Sequence, residues 1–250
     1  MNITIDKTKR SAYNVNVPHG GMGALIKIRG VFMNKIKKFI HKWAWVFLIL
    51  YIVVGVMYPM IGLAALICML APSIVAIFKG RMWCGNFCPR GSFNDIILSK
   101  ISLKNGVPKF LKTTWFKLTF LAVLMGAFAL QIVFAWGNIT EVSFVFIRMI
   151  IITTIVTIIL GIIYNQRTWC MICPMGTMAH YVTKLQLNKS KMKHVSFDQN
   201  KCINCKICSK NCPIGIDVLS HKEIGKVAHA DCLKCNVCVE KCPKKSLSME

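Results

Sequence analysis

Two runs near the C-terminal end carry the most specific chemistry in the chain. Cys202-Ile-Asn-Cys205-Lys-Ile-Cys208-Ser-Lys-Asn-Cys212-Pro213 reads C-x2-C-x2-C-x3-C-P, and Cys232-Leu-Lys-Cys235-Asn-Val-Cys238-Val-Glu-Lys-Cys242-Pro243 repeats it. This spacing lets one tight loop supply three thiolates to a compact cubane iron–sulfur core, while the fourth cysteine of each run serves the other core. The expected ligand sets are Cys202, Cys205, Cys208 and Cys242 for one [4Fe–4S] cluster, and Cys232, Cys235, Cys238 and Cys212 for a second. Zinc is the competing reading. Zinc motifs usually separate two pairs of ligands, however, and do not place four cysteines in eleven residues ahead of a proline.

A second pattern lies upstream and is also duplicated. Arg81-Met82-Trp83-Cys84-Gly85-Asn86-Phe87-Cys88-Pro89-Arg90-Gly91-Ser92 is echoed by Arg167-Thr168-Trp169-Cys170-Met171-Ile172-Cys173-Pro174-Met175-Gly176-Thr177. Both share Arg-x-Trp-Cys, then Cys-Pro-x-Gly-Ser/Thr. Each leads into helically spaced apolar residues: Phe93, Ile96, Ile97 and Ile101 after the first, Met178, Tyr181, Val182 and Leu185 after the second. If the two units pack about a pseudo-twofold axis, Cys84, Cys88, Cys170 and Cys173 converge on a third Fe–S site, [4Fe–4S] or [2Fe–2S]. A redox-active dithiol pair and a soft-metal site for Cu(I) stay open as alternatives.

Long apolar runs must position these pairs. Trp43 to Phe78 holds no charged residue over 36 positions, which as one helix would span about 54 Å, nearly twice a bilayer core. Tyr58-Pro59-Met60-Ile61-Gly62 supplies a break, predicting spans at about 40–57 and 61–79. Trp115 to Tyr164 is interrupted at Gly137-Asn138-Ile139-Thr140-Glu141, predicting spans at about 115–136 and 142–164. Leu25 to Ile40 reads as a basic interfacial helix that meets anionic lipid. The expected fold is an α-helical membrane protein of about four transmembrane helices with a small α+β two-cluster ferredoxin-like domain. Its boundaries fall at 1–42 (basic cytoplasmic or interfacial segment), 43–195 (membrane domain) and 196–250 (ferredoxin-like domain).

Composition agrees: the chain is 55% hydrophobic and carries 32 Lys and Arg against 9 Asp and Glu. With no nucleic-acid motif and the charges gathered in loops, the excess reads as the positive-inside rule and excludes nucleic acid as the partner. The turns near 58–62 and 137–141 hold no Lys or Arg, so both termini and the 79–112 loop are expected in the cytoplasm, at the cell membrane. The polar, basic segment before Trp43 has no signal-peptide core, so the thiols should face a reducing compartment. Arg148, inside the fourth span, either snorkels or meets a buried partner or a quinone. Cys68 is expected in packing and His180 at the interface or beside a cluster sulfur. His19, His41, His194, His221 and His229 are expected at the surface.

Residues 200–243 resemble bacterial two-cluster ferredoxins. From the first apolar run onward the chain resembles the membrane polyferredoxins of the NapH, NosR and CcoG type, on Gly80-Arg81-Met82-Trp83-Cys84 and Cys88-Pro89. Cys170 and Cys173 depart from that pattern, being separated by two residues where the family has three. The resemblance implies electron transfer between a cytoplasmic or quinone-level donor and a membrane or periplasmic reductase partner, without a substrate site of the chain's own. A copper-reducing assembly factor and a cluster-based redox sensor are the alternatives.

Overall fold

The computed structural model describes residues 21–186 and 194–249, with side chains from residue 35 onward; His19 and the rest of residues 1–20 of the basic segment lie outside the described residues. Residues 1–36 form one unit and residues 37–250 a second, and every cysteine belongs to the second.

Helix α1 (Gly21–Met57) is continuous, and Leu25 to Ile40, expected as an interfacial helix leading into the first span, is part of it. The helix stops where Pro59 dictates. Proline disfavours helical geometry in the residue before it, and Tyr58 takes φ −126° and ψ 88°. A 3₁₀ turn (Pro59–Ala64) follows, then α2 (Ala65–Lys79). The first motif forms α3 (Met82–Asn86), α4 (Pro89–Phe93), a π-helical turn (Asn94–Leu98) and α5 (Ser99–Ile101). A short α6 (Lys109–Lys112) leads to the hairpin of α7 (Thr114–Phe134) and α8 (Ile139–Ile163). The second motif then forms α9 (Thr168–Ile172) and α10 (Pro174–Gln186). In both motifs the proline sits at the first helical position, where its missing N–H costs no hydrogen bond.

Four helices are long and apolar enough to cross a bilayer: Lys35–Met57, Pro59–Lys79, Thr114–Phe134 and Ile139–Ile163. Their outward faces are apolar, with Phe47, Leu50, Ile67, Val123 and Ile155 all exposed. Such surface suits lipid and not water, and marks a membrane protein. Arg148 is exposed on α8, with no buried partner among the described residues, as a snorkelling side chain requires. Cys68, expected in packing, is exposed on α2 instead.

The C-terminal segment closes on itself through strands β1 (Val195–Phe197) and β2 (Leu247–Met249), antiparallel, with Val195 opposite Met249. Helical turns α11 (Ile207–Lys210) and α12 (Val237–Glu240) sit at equivalent places in the two cysteine runs. A core of Val195, Val218, Val227 and Leu247 lies between the runs. A second core joins this segment to the membrane-facing motifs: Ile214, Ile216 and Leu233 pack with Leu111, Trp169, Met171 and Ile172.

Candidate metal centres

Each C-terminal run bends the same way. The backbone is left-handed at Asn204 and Lys206, either side of Cys205, and again at Lys234 and Asn236, either side of Cys235. Alternating left-handed and ordinary residues turns successive N–H groups to one side, making a concavity for an anion. Further on, the Ile216 N–H donates to Cys212 Sγ and the Ser246 N–H to Cys242 Sγ, both at 3.4 Å.

Two cavities lie inside these turns. One, of about 20 Å³, is lined by Cys202, Cys205, Cys208 and Cys242 with Phe197, Ile207 and Leu219. The other, of about 30 Å³, is lined by Cys212, Cys232, Cys235 and Cys238 with Ile214, Val218 and Leu233. The chain thus gathers its thiols in fours, and each four takes its last member from the opposite run. Among the described residues no three His, Cys, Asp or Glu groups converge closely enough to grip a single ion. Thiols spread around a cavity match ligands to separate irons of a cubane.

Electrostatics fit an anionic occupant. Burial pushes the thiols of Cys232, Cys235 and Cys238 up, Cys235 to about 11 and Cys238 to about 12. Without a bound cation these groups stay protonated. Lys234 lines the same cavity with its Nζ buried and without a hydrogen-bond partner, and burial lowers it to about 8. A thiolate-bound, negatively charged cluster would satisfy that orphaned ammonium.

The upstream pairs are held by a reciprocal clamp. Arg81 of the first motif reaches across and donates from Nη2 to the Cys170 carbonyl at 2.6 Å. Arg167 of the second donates from Nη1 to the Cys84 carbonyl at 2.9 Å and to Cys170 Sγ at 3.5 Å. Both guanidiniums are buried, at 1% and 0% exposure. The glycines of the two Cys-Pro-x-Gly segments make room for them. A Cβ on Gly91 would stand 2.8 Å from Arg167 Nη1, and one on Gly176 2.7 Å from Arg81 Nη2. The repeat is therefore a pair of interlocking halves.

Each buried arginine has a carboxylate. Arg167 grips Asp95 through Nε at 2.7 Å and Nη2 at 2.5 Å, with His41 on the same carboxylate at 3.0 Å. Burial alone would raise the Asp95 carboxyl, but Arg167 and then His41 outweigh it and hold the group at about 2. At the matching place in the second half the chain has His180, which bonds Asp231 at 2.9 Å. Asp231, beside Cys232, takes Arg81 at 2.5 Å and Lys117 at 3.5 Å. One half thus supplies its own acid, and the other borrows it from the C-terminal segment. His180, expected at the interface or on a cluster sulfur, is instead part of this bridge.

The four membrane-side thiols stand within range of one another's charge. Burial pushes Cys84, Cys88 and Cys173 up, Cys88 to about 12; neighbouring thiols add to the rise, while Arg81 lowers Cys84 and Arg90 lowers Cys173. Arg90 also donates to Thr153 Oγ1 at 2.9 Å and lies over the Trp169 ring, tying the first motif to α8 and to the second motif. The C-terminal segment docks directly on this clamp. Leu233, 2% exposed, lies over Gly85, and Asn86 Nδ2 donates to the Lys234 carbonyl at 3.3 Å.

Beside this seam opens a polar cavity of about 350 Å³ lined by Arg81, Lys112, Lys117, Ile216, His221 and His229 among others. His221 and His229 stack edge to face and are half-buried; like His41, they are not the simple surface residues expected.

Residues 61–108 and 146–193 each match a family model described as a 4Fe-4S binding domain, and residues 201–247 match one described as a 4Fe-4S dicluster domain. The chain binds [4Fe–4S] clusters. The first two matches contain one upstream cysteine pair each, and the third contains both C-terminal runs. These domains carry an iron–sulfur electron-transfer role. An uncharacterized protein of Methanocaldococcus jannaschii is 23% identical over 159 residues, covering 62% of this chain and 61% of that protein. The chain thus spans about three fifths of that relative's length. No solved structure matches.

The spacing of the cysteines found the thiols but not the residues that organise them. Asp95 and Asp231 went unremarked, and Arg81 and Arg167 stood only as members of a repeat. The available signal was the recurrence of Arg three residues before a cysteine in a chain with only 9 acidic residues.

Proposed function

We propose that this chain is an integral membrane electron carrier of the polyferredoxin type, with three iron–sulfur sites in series. Cys84, Cys88, Cys170 and Cys173 would hold the membrane-side cluster. Cys232, Cys235, Cys238 and Cys212 would hold the middle one, and Cys202, Cys205, Cys208 and Cys242 the outermost. The observation that carries the reading is the seam at Leu233, which lines the middle cavity and is also packed against Trp169 and Gly85 of the clamp. When bound, each cluster supplies one-electron redox chemistry. The chain's own residues do the rest. Leu233, Ile214 and Trp169 exclude water between the sites, Arg81 and Arg167 offset thiolate charge, and the left-handed turns aim N–H groups at the sulfurs.

In this reading residues 196–250 are a small α+β two-cluster ferredoxin fold, supported by the β1–β2 pair and the equivalent α11 and α12 turns. Residues 43–195 are the membrane domain and 1–42 its basic approach. Lysine and arginine placement supports cytoplasmic termini in the cell membrane, and a flow between a cytoplasmic or quinone-level donor and a membrane or periplasmic reductase. A quinone headgroup fits the polar cavity: Arg81 Nε and His221 Nδ1, on two of its lining residues, are buried without partners. Potentiometric titration followed by low-temperature EPR tests the function. Every cluster signal should appear and vanish reversibly between a mild oxidant and dithionite. Clusters that are present but never change oxidation state would remove the electron-carrier reading.

A further inference from the structure

The two C-terminal sites differ in what surrounds them. The middle site is covered by the clamp, since Leu233 is buried under Gly85 and Asn86 reaches the Lys234 carbonyl. Among the described residues the outer site has no such cover. Cys205 is exposed, and Ile203, in the same loop, is 58% exposed although it lines the cavity that holds Cys202 and Cys242. Pro243 stands exposed on the other rim. Around this apolar tip the chain places Lys201, Lys206, Lys244 and Lys245, all on the surface. Among the described residues the nearby acids are few: Asp198 is bonded to Lys201, Asp217 lies within range of the Lys206 charge, and Glu240 pairs with Lys38 at 2.7 Å.

Those lysines have a bland explanation, namely that they offset cluster charge. The buried Lys234 does so at the middle site, whereas Lys201, Lys206 and Lys244 are exposed residues, Lys201 with Asp198 as its partner. The outer thiols draw on other groups as well: Cys242 Sγ accepts the Ser246 N–H and shares a hydrogen bond with the Ser246 hydroxyl at 3.2 Å. An exposed apolar centre within a charged rim is the anatomy of a protein interface, and like charges on that rim select a partner of opposite sign and speed its approach.

We infer that the rim formed by Ile203, Pro243, Lys201, Lys206, Lys244 and Lys245 is the docking face for an acidic electron-carrier protein, which exchanges one electron at a time with the outer site. The inference rests on the electron-carrier reading above. The exchange is a simple one-electron transfer: the reduced carrier is oxidised by one electron and the outer site reduced by one, with no bond made or broken.

The test uses the full chain, anaerobically purified with its iron in place. An acidic two-cluster ferredoxin, pre-reduced, is mixed with it in a stopped-flow instrument over a range of salt. A zwitterionic viologen serves as the reductant with no net charge. The second-order rate with ferredoxin should fall steeply as salt rises, while the viologen rate stays level. The triple variant Lys201→Glu, Lys244→Glu, Lys245→Glu should keep its iron and its viologen rate. With ferredoxin at low salt it should lose about tenfold or more in rate. Ile203→Ser should slow the reaction with ferredoxin while leaving its salt dependence as it was. A rate with ferredoxin indifferent to both salt and charge reversal would overturn the docking face, as would faster reaction with a basic carrier. So would a triple variant that loses only its hold on vesicles of anionic lipid, because the lysines would then serve the membrane. Failure of viologen to reduce the parent would sink the electron-carrier reading as well, and separates that failure from the first.

Discussion

At Gly85 the backbone of the clamp lies close against Leu233 of the C-terminal segment, and Gly85→Ala tests whether that seam is a fixed joint. A Cβ there would stand 2.2 Å from the Leu233 carbonyl oxygen and 3.0 Å from Leu233 Cβ. Neither atom can swing aside as the end of a long side chain does. Comfortable contact between such atoms needs about 3.5 Å, so the loop must retreat by about 1 Å. Overpacking of that kind costs about 1–3 kcal/mol. The undocked state should gain about 5- to 150-fold in population. Hydrogen exchange at the backbone amides of Leu233 to Asn236 reads that population directly. Protection should fall by that factor while the iron content is kept. Gly126→Ala is the control, because a Cβ there meets nothing within 4 Å. If protection in Gly85→Ala equals that in Gly126→Ala, Leu233 is not held against the clamp and the serial arrangement of sites loses its basis.

Three further outcomes follow from named contacts. Asp231→Ala strips the carboxylate from Arg81, which is 1% exposed, and should cost about 3–5 kcal/mol in thermal or denaturant unfolding. Asp198→Ala, at an exposed pair, should cost no more than about 1 kcal/mol; equal effects would show that the bridge bears no special weight. Cys212→Ser should damage the site of Cys232, Cys235 and Cys238, and EPR of the reduced variant that instead lost only the signal of Cys202, Cys205 and Cys208 would refute the exchange of fourth cysteines. Reporter fusions at residues 60 and 139 should read outside and those at 105 and 250 inside, and an outside C-terminus would reverse the orientation.

The thiols and the spans were legible because both are local patterns. C-x2-C-x2-C-x3-C-P needs only twelve adjacent residues, and Pro59 announces its own break. The helix through Leu25 to Ile40 was legible too, since lysines interrupt its apolar pattern without lowering its helical propensity. The clamp was not legible. Arg167 and Asp95 are 72 residues apart, and Arg81 and Asp231 150, so nothing in either neighbourhood names its partner. The repeat itself hid the asymmetry: His180 stands where Asp95 stands in the first half, and only the fold shows that Asp231 supplies the missing acid. A second-half histidine reads as an interface residue until its carboxylate is in view.

The account depends most on the membrane-side cluster, and iron content measures it. Two cubane clusters hold about eight irons and three about twelve. Anaerobically purified parent should carry about twelve, with a third EPR signal beyond those of the C-terminal sites. Cys84→Ser/Cys88→Ser and Cys170→Ser/Cys173→Ser should each fall to about eight and lose that same signal if, as proposed, the two pairs that the clamp ties together share one cluster. A parent with about eight irons, or two double variants that both keep the parent's iron, would contradict the shared cluster and leave the four thiols without the role assigned to them.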